Sequence, residues 1–350
     1  MNQYSSALEA TAAALLTPGE GILAADESFP TIEKRFAALG IEATEENRRA
    51  YRDMLFATAR LSEFISGVIL FDETLRQRTK EGVPMPEVLT KQGIVPGIKV
   101  DLGAKALAGF PGEKLTLGLD GLRERLAEYR ELGARFTKWR AVIAVDEHLP
   151  TRACIETNAG ALALFAALSQ EAGLVPIVEP EVLMDGAHSL GRCEEVTTLT
   201  LKMLFDALFE HRVVLEQMLL KTGMVLSGAE CPEQAEDAVV AEATLRCLRR
   251  TVPAAVPGVV FLSGGQSDEA ATQRLNAIWR GGDAPWKLTF SFGRALQAPA
   301  MNVWKGSPAN VIAAQAALLH RAQCNSAAIQ GKYSADIEIA GIPLLEREHV

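Results

Sequence analysis

The chain alternates short apolar runs with longer stretches in which apolar residues recur every three or four positions. Eight runs read as strands: 21–26, 67–71, 95–100, 135–144, 175–180, 213–221, 258–265 and 287–295. Most are continuously apolar rather than alternating, the pattern of strands covered on both faces. Helical segments lie between them. Leu119, Leu122, Leu126 and Tyr129 recur at helical spacing, and Gly133 is placed to end that helix. Residues 151–172, 191–210 and 234–250 have helix length. The last of these closes in Arg246, Arg249 and Arg250, which suit the negative end of a helix, and Pro253 blocks its continuation. Thr44 ahead of Glu45 and Glu46, and Ser307 ahead of Pro308, read as helix starts. Strand then helix, repeated eight times, predicts an α/β fold: one (β/α)8 barrel over residues 1–334, followed by a C-terminal tail at 335–350 where periodicity is lost. A doubly wound sheet is the alternative architecture.

Composition adds exclusions. With 48% hydrophobic and 23% charged residues, the chain has the balance of a globular domain, not of a disordered one. No run approaches the roughly 18 apolar residues that span a bilayer, so no membrane association is expected. The first basic residue is Lys34, too late for a secretory leader. Five cysteines, Cys154, Cys193, Cys231, Cys247 and Cys324, are scattered and odd in number, which predicts free thiols in a cytoplasmic protein. The net charge of −9 argues against a nucleic-acid partner. It leaves room for a small anionic substrate if cations gather locally.

They do gather, at strand ends. The first run ends in Asp26, the third carries Lys99, the fourth Lys138 and Arg140, the fifth Glu179 and Glu181, and the sixth ends in Lys221. Residues i and i+2 of a strand share a face, so each of the two pairs points one way. One such pair could be a structural ion pair. Charges on most strand ends of one barrel are better explained by an active site, because each unpaired buried charge would cost several kcal/mol. The seventh run ends in Ser263, Gly264 and Gly265, and the eighth holds Ser291, Gly293 and Arg294. Glycines let backbone N–H groups approach a phosphate, and an arginine adds a charge-assisted bond. The histidines, His148, His188, His211, His320 and His349, form no metal-binding spacing, so neither a metal nor a cofactor is expected. Lys221, at the end of an apolar run, is left as the electron sink. Alone, a lysine snorkelling to water explains it as well; with the surrounding charges, a nucleophilic amine explains it better.

The stretches "GILAADES", "TEENRR", "GVILF", "GIKVD", "GLDGL", "FTKWR", "VPIVEPE", "LLKTGM", "FLSGGQS", "LTFSFGRALQ" and "QGKY" span residues 21–333. In kind and order they resemble class I, Schiff-base fructose-1,6-bisphosphate aldolase, a TIM-barrel family of glycolysis and gluconeogenesis that uses no metal. The resemblance implies reversible cleavage of fructose 1,6-bisphosphate to dihydroxyacetone phosphate and glyceraldehyde 3-phosphate. It implies Lys221 as the Schiff-base lysine, Glu179 as the acid/base that dehydrates the carbinolamine, Asp26 as the carboxylate assisting C–C cleavage, and Lys138 as the cation beside them. Glu181 would hold the lysine network. Ser263, Gly264, Gly265, Gly293 and Arg294, with Ser291 nearby, would take one phosphate. Ser28, Thr31, Arg35, Lys99 and Arg140, with Arg48 beside them, would serve the other end of the sugar. A homotetramer is implied as well. Two departures stand out. Phe29 and Pro30 occupy a run that in the family is often Ser-Thr-Gly-Ser, and the chain ends Glu346–Val350 where the animal enzymes end in tyrosine. A related Schiff-base aldolase with another acceptor, and a catalytically silent scaffold, remain the competing readings.

Overall fold

Apolar runs bounded by turn residues become strands when both faces find cover, and all eight do so here. A computed structural model of the chain describes residues 3–340. The strands are β1 (Gly21–Ala25), β2 (Ile65–Leu70), β3 (Val95–Lys99), β4 (Phe136–Ile143), β5 (Val175–Val182), β6 (Leu219–Thr222), β7 (Gly258–Phe261) and β8 (Lys287–Phe292). Each pairs in parallel with the next, and β8 closes on β1 through Ile22 opposite Ser291 and Leu23 opposite Phe292. The result is a closed (β/α)8 barrel with helices outside, whose eight-stranded sheet has no edge.

The inward face of the barrel changes character at one level. Ile22, Ala24, Ile69, Phe136, Val175, Ile177, Leu219 and Val260 pack together with Leu8, Ala12, Leu15 and Leu16 of the N-terminal segment. The helix Ser5–Leu15 therefore plugs the bottom of the barrel. Two residues further along the same strands the inward side chains are charged: Ala24 is followed by Asp26, Phe136 by Lys138, Ile177 by Glu179 and Leu219 by Lys221. The period of two that a strand imposes stacks a polar layer on an apolar floor.

The predicted helices form close to their expected bounds. Thr44 Oγ1 accepts from Asn47 N at 3.1 Å and caps Glu45–Phe56. Thr151 and Ser189 cap Arg152–Glu171 and Leu190–Glu210 in the same way. Asp237–Thr251 starts three residues later than residue 234, and Ser307 leads through one 3-10 turn, Pro308–Asn310, into Val311–Ala328. Even the longest helices are not apolar enough to cross a membrane among the described residues. All five cysteines are free.

Two readings are corrected, and one element is added. The run 213–221 is a strand only from Leu219; Leu215–Gln217 is a 3-10 turn. Gln170 explains this, since its amide donates to Val214 O at 2.7 Å and accepts from Val214 N at 3.0 Å, satisfying backbone that a sheet would otherwise pair. An antiparallel hairpin, Ala104–Ala106 with Lys114–Thr116, lies in a segment with no apolar run to announce it. Residues 335–340, expected to open the tail, form the helix Ala335–Ala340, and its Glu338 pairs with the buried Arg321. The remainder of the expected tail, with Glu346–Val350 and His349, lies outside the described residues.

Candidate active site

The charged layer floors a cavity of about 700 Å³ at the C-terminal mouth of the barrel. Lys138 and Lys221 are each 4% exposed and Glu179 is 3% exposed, so these charges have little water to solvate them and need one another. Lys138 Nζ lies 2.7 Å from Asp26 Oδ2 and 3.2 Å from Glu179 Oε2. The second contact is an ion pair without hydrogen-bond alignment. Lys221 Nζ lies 3.2 Å from Glu179 Oε1. The four groups form a chain, Asp26–Lys138–Glu179–Lys221, in which carboxylates and ammonium groups alternate.

Their ionisation follows from that order. Burial alone would raise the Asp26 carboxyl, but Lys138, then Lys221 and Lys99, outweigh it and hold it well below the usual carboxylate range. Glu179 is likewise lowered: burial opposes, and Lys138, Lys221 and Arg140 win. Burial would strip the proton from Lys138, yet Asp26, Glu179 and Asp101 hold it above the usual lysine range. Lys138 is therefore held as a cation between two carboxylates that rest ionised. From sequence, Lys99 and Lys138 stand near Lys221 as bare cations; in the fold Lys138 is neutralised by Asp26 and Glu179, and Lys99 lies 3.6 Å from Asp101 Oδ1.

Around this floor the wall is cationic. Lys34, Arg35, Lys99, Lys138, Arg140, Lys221 and Arg294 line the cavity with five carboxylates, Asp26, Glu27, Asp101, Glu179 and Glu181. The excess is positive in a chain of net charge −9. Clefts of one sign concentrate ligands of the other. Arg140 pairs with Glu181, and that carboxylate outweighs burial in keeping the guanidinium charged.

On one side of the mouth, the loop after β7 and the turn after β8 converge. Ser263, Gly264, Gly265, Ser291, Gly293 and Arg294 all line the cavity. At Gly264 the backbone runs close under Glu181: a Cβ there would sit 2.5 Å from Glu181 Oε1, so a side chain would displace that carboxylate. Gly265 has φ +79°, a conformation that favours glycine. Ser291 Oγ is buried with no hydrogen-bond partner among the described residues. Arg294 opens the helix Arg294–Trp304 and donates from Nη2 to Gln266 O at 2.9 Å, tying the two loops together. Backbone amides, a helix N-terminus, hydroxyls and a guanidinium converge at one spot, the kinds of group that can hold an anion.

The family model for fructose-bisphosphate aldolase class-I matches residues 7–342. The chain belongs to that family. It is 57% identical over 327 residues to a probable fructose-bisphosphate aldolase class 1 of Xanthomonas axonopodis pv. citri, covering 93% of this chain and 98% of that one. It is 49% identical over 352 residues to fructose-bisphosphate aldolase 1 of Toxoplasma gondii, covering 99% and 97%. Among solved structures, the fructose-bisphosphate aldolase of Plasmodium falciparum, in complex with TRAP and a small molecule inhibitor, superposes with a TM-score of 0.94 at 50% identity, covering 96% of this chain and 97% of that chain.

Of the residues that the class I aldolase resemblance singled out, Arg48 alone does not line the cavity. Its Nε donates to both Glu73 oxygens at 2.9 Å, and its guanidinium lies 4.7 Å from the centre of the Phe29 ring. Phe29, the departure from the family run, stands edge-on to Phe71 with ring centres 5.2 Å apart. Phe29 is exposed, and its contacts are with Phe71 and Arg48. Ser28 and Thr31 still face the cavity with their hydroxyls 3.2 Å apart. Glu27, Lys34 and Asp101 were not foreseen. Glu27 is buried between Arg35, at 2.5 Å, and Arg52, and also accepts from Gln297 Nε2 at 2.8 Å. Its adjacency to Asp26 was the available signal, since consecutive residues leaving a strand point to different sides.

Proposed function

We propose that Lys221 attacks the C2 carbonyl of fructose 1,6-bisphosphate and carries the cleavage as a Schiff base, with Glu179, Lys138 and Asp26 moving and holding protons around it. The single observation that supports this assignment is the buried chain Asp26–Lys138–Glu179–Lys221. Lys221 first gives a proton to Glu179, 3.2 Å away; the neutral amine then forms the C–N bond, and Glu179 returns that proton to the carbinolamine oxygen, which leaves as water. The protonated imine then accepts the electron pair of the C3–C4 bond while the C4 hydroxyl gives up its proton. Asp26, held ionised by its lysine neighbours, is the base for that proton. Glyceraldehyde 3-phosphate departs, and the enamine left on Lys221 is protonated and hydrolysed to dihydroxyacetone phosphate. Lys138 keeps its charge throughout and stabilises the carboxylates and the developing oxyanion.

The anion site formed by Ser263, Gly264, Gly265, Ser291, Gly293 and Arg294 takes one phosphate. Ser28, Thr31, Arg35, Lys99 and Arg140 face the other end of the sugar, and Glu181 fixes Arg140. A cytoplasmic, homotetrameric protein is part of the same reading. The Arabidopsis thaliana relative described as cytosolic, 51% identical over 333 residues, supports the location. The tetramer rests on the family resemblance.

Borohydride reduction in the presence of dihydroxyacetone phosphate tests the assignment. Irreversible inactivation with a single adduct on Lys221, and full activity in EDTA, is the expected result. An adduct on Lys99 or Lys138 instead would overturn it.

A further inference from the structure

The helix Ala335–Ala340 supplies a half-buried carboxylate, Glu338, to a buried arginine outside the cavity. Arg321, on Val311–Ala328, is 2% exposed. Glu338 is the only carboxylate within ion-pair distance of it among the described residues. Both Glu338 oxygens are taken, one by Arg321 Nη1 and the other by Tyr333 OH at 2.5 Å. His320 and Cys324 lie beside this carboxylate, whose oxygens are already engaged by Arg321 and Tyr333.

The other end of Arg321 reaches toward the anion site. Its Nη2 donates to Thr272 Oγ1 at 2.6 Å and to Asp268 O at 3.2 Å. Thr272, fully buried, also donates to Asn325 Oδ1 at 2.7 Å. Asp268 and Thr272 form the first turn of the helix Asp268–Arg280, which Ser267 caps by accepting from Ala270 N at 3.2 Å. The loop Ser263–Gln266 runs directly into that cap, and Arg294 donates to the carbonyl of Gln266. A continuous set of bonds thus runs from Glu338 through Arg321 to the helix turn that anchors the phosphate-binding loop.

We infer that Arg321 is a positioning residue for that loop, and that docking of the Ala335–Ala340 helix, by supplying Glu338 as counter-ion, sets how firmly the Ser263–Gly265 amides are held for a phosphate. A buried guanidinium needs its carboxylate; when Glu338 leaves, Arg321 turns toward water and releases Asp268 O and Thr272. The first turn of Asp268–Arg280 then loosens, and the loop with it. The inference rests on the reading of this loop and Arg294 as a phosphate site.

Glu338→Gln keeps the shape and removes the charge. Hydrogen exchange of the full-length protein, followed by peptide mass, is expected to speed up both in residues 335–340 and in 263–272. KM for fructose 1,6-bisphosphate is expected to rise about fivefold, with kcat changed less than about twofold. Tyr333→Phe, which loses one bond to Glu338, should move the same quantities in the same direction by less. Glu338→Asp should restore KM toward the parent value. A parallel Arg294→Ala separates the two ideas. If Arg294→Ala leaves KM unchanged, the phosphate-site reading falls and this inference with it. If Arg294→Ala raises KM while both Glu338→Gln and Tyr333→Phe leave KM and the exchange of 263–272 unchanged, the site stands and the positioning role of Arg321 is overturned.

Discussion

Glu179 Oε1 lies 3.2 Å from Lys221 Nζ, inside hydrogen-bond reach for a proton transfer between them. The other oxygen of the same carboxylate faces Lys138. One buried acid therefore bridges Lys221 and Lys138. Glu179→Gln should lower kcat by about 10²- to 10⁴-fold, since general acid–base catalysis contributes on that scale. KM should move much less, because the phosphate contacts are elsewhere. Steady-state cleavage assays check this, and a kcat within a factor of a few of the parent would remove Glu179 from the proton path.

Acid should destabilise the fold through this cluster. The folded-state carboxyls of Asp26 and Glu179 lie below their ordinary values of 3.8 and 4.5. Their contribution is therefore fully present above about those ordinary values and is lost as pH falls through the lowered ones. Lys138, raised above its ordinary 10.5, contributes in the opposite sense: fully below that value, and less as pH rises past it. Tm should be level between about pH 5 and 8 and fall below about pH 4.5. In Asp26→Asn the acid limb should be shallower; an unchanged limb would place the acid sensitivity elsewhere.

Arg294→Ala should raise KM for fructose 1,6-bisphosphate tenfold or more, equivalent to ~1.4 kcal/mol per factor of ten. The side chain sits at the mouth, so Tm should shift little. A protein that unfolds while its folded fraction binds normally would make the arginine a structural tie to Gln266 and not a ligand group.

Gly264→Ala tests the crowding between the phosphate loop and Glu181. The added methyl would meet Glu181 Oε1 at 2.5 Å and Leu262 Cδ1 at 3.1 Å. Glu181 is itself tied to Arg140 through its other oxygen, so either that pair or the loop must shift. We expect a stability loss of about 1–3 kcal/mol, as for other overpacked sites, together with a raised KM. Thermal melts and kinetics on one preparation decide it; normal values for both would mean that the loop has slack.

Two truncations bear on the C-terminus. Deleting Glu346–Val350 should change kcat by less than about tenfold, or ~1.4 kcal/mol. Deleting from residue 335 onward also removes Glu338 and should cost stability by about 3–5 kcal/mol, the scale for breaking a buried ion pair. Melting curves of the two truncated chains make the comparison, and equal stability would show that the Glu338 pair contributes nothing.

The barrel was legible in the sequence because each strand is a local object. A continuous apolar run of four to eight residues, bounded by glycine, proline or a charge, reads as a doubly covered strand wherever it occurs. The polar layer was legible for the same reason. Period two carries an apolar floor residue to a charged one along β4, β5 and β6, so Lys138, Glu179 and Lys221 share an interior without any coordinates. The chain 213–221 misled because its apolar start is held by Gln170, a residue some forty positions earlier that no local window contains.

What only the tertiary structure decided is who faces whom. The sequence placed Lys99, Lys138 and Lys221 at strand ends as three cations; the closed barrel sets Asp26 2.7 Å from Lys138 and puts Glu179 between the two innermost lysines. Arg48 matched a motif, yet Glu73 and the Phe29 ring keep it out of the cavity. Glu338 stood in a stretch without periodicity and proved to be the counter-ion of a buried arginine. Hydrophobic period is set by neighbours along the chain, whereas the partner of a buried charge is set by whichever distant segment the fold brings within a few ångströms, and Coulomb attraction in a low-dielectric interior makes that partner decisive.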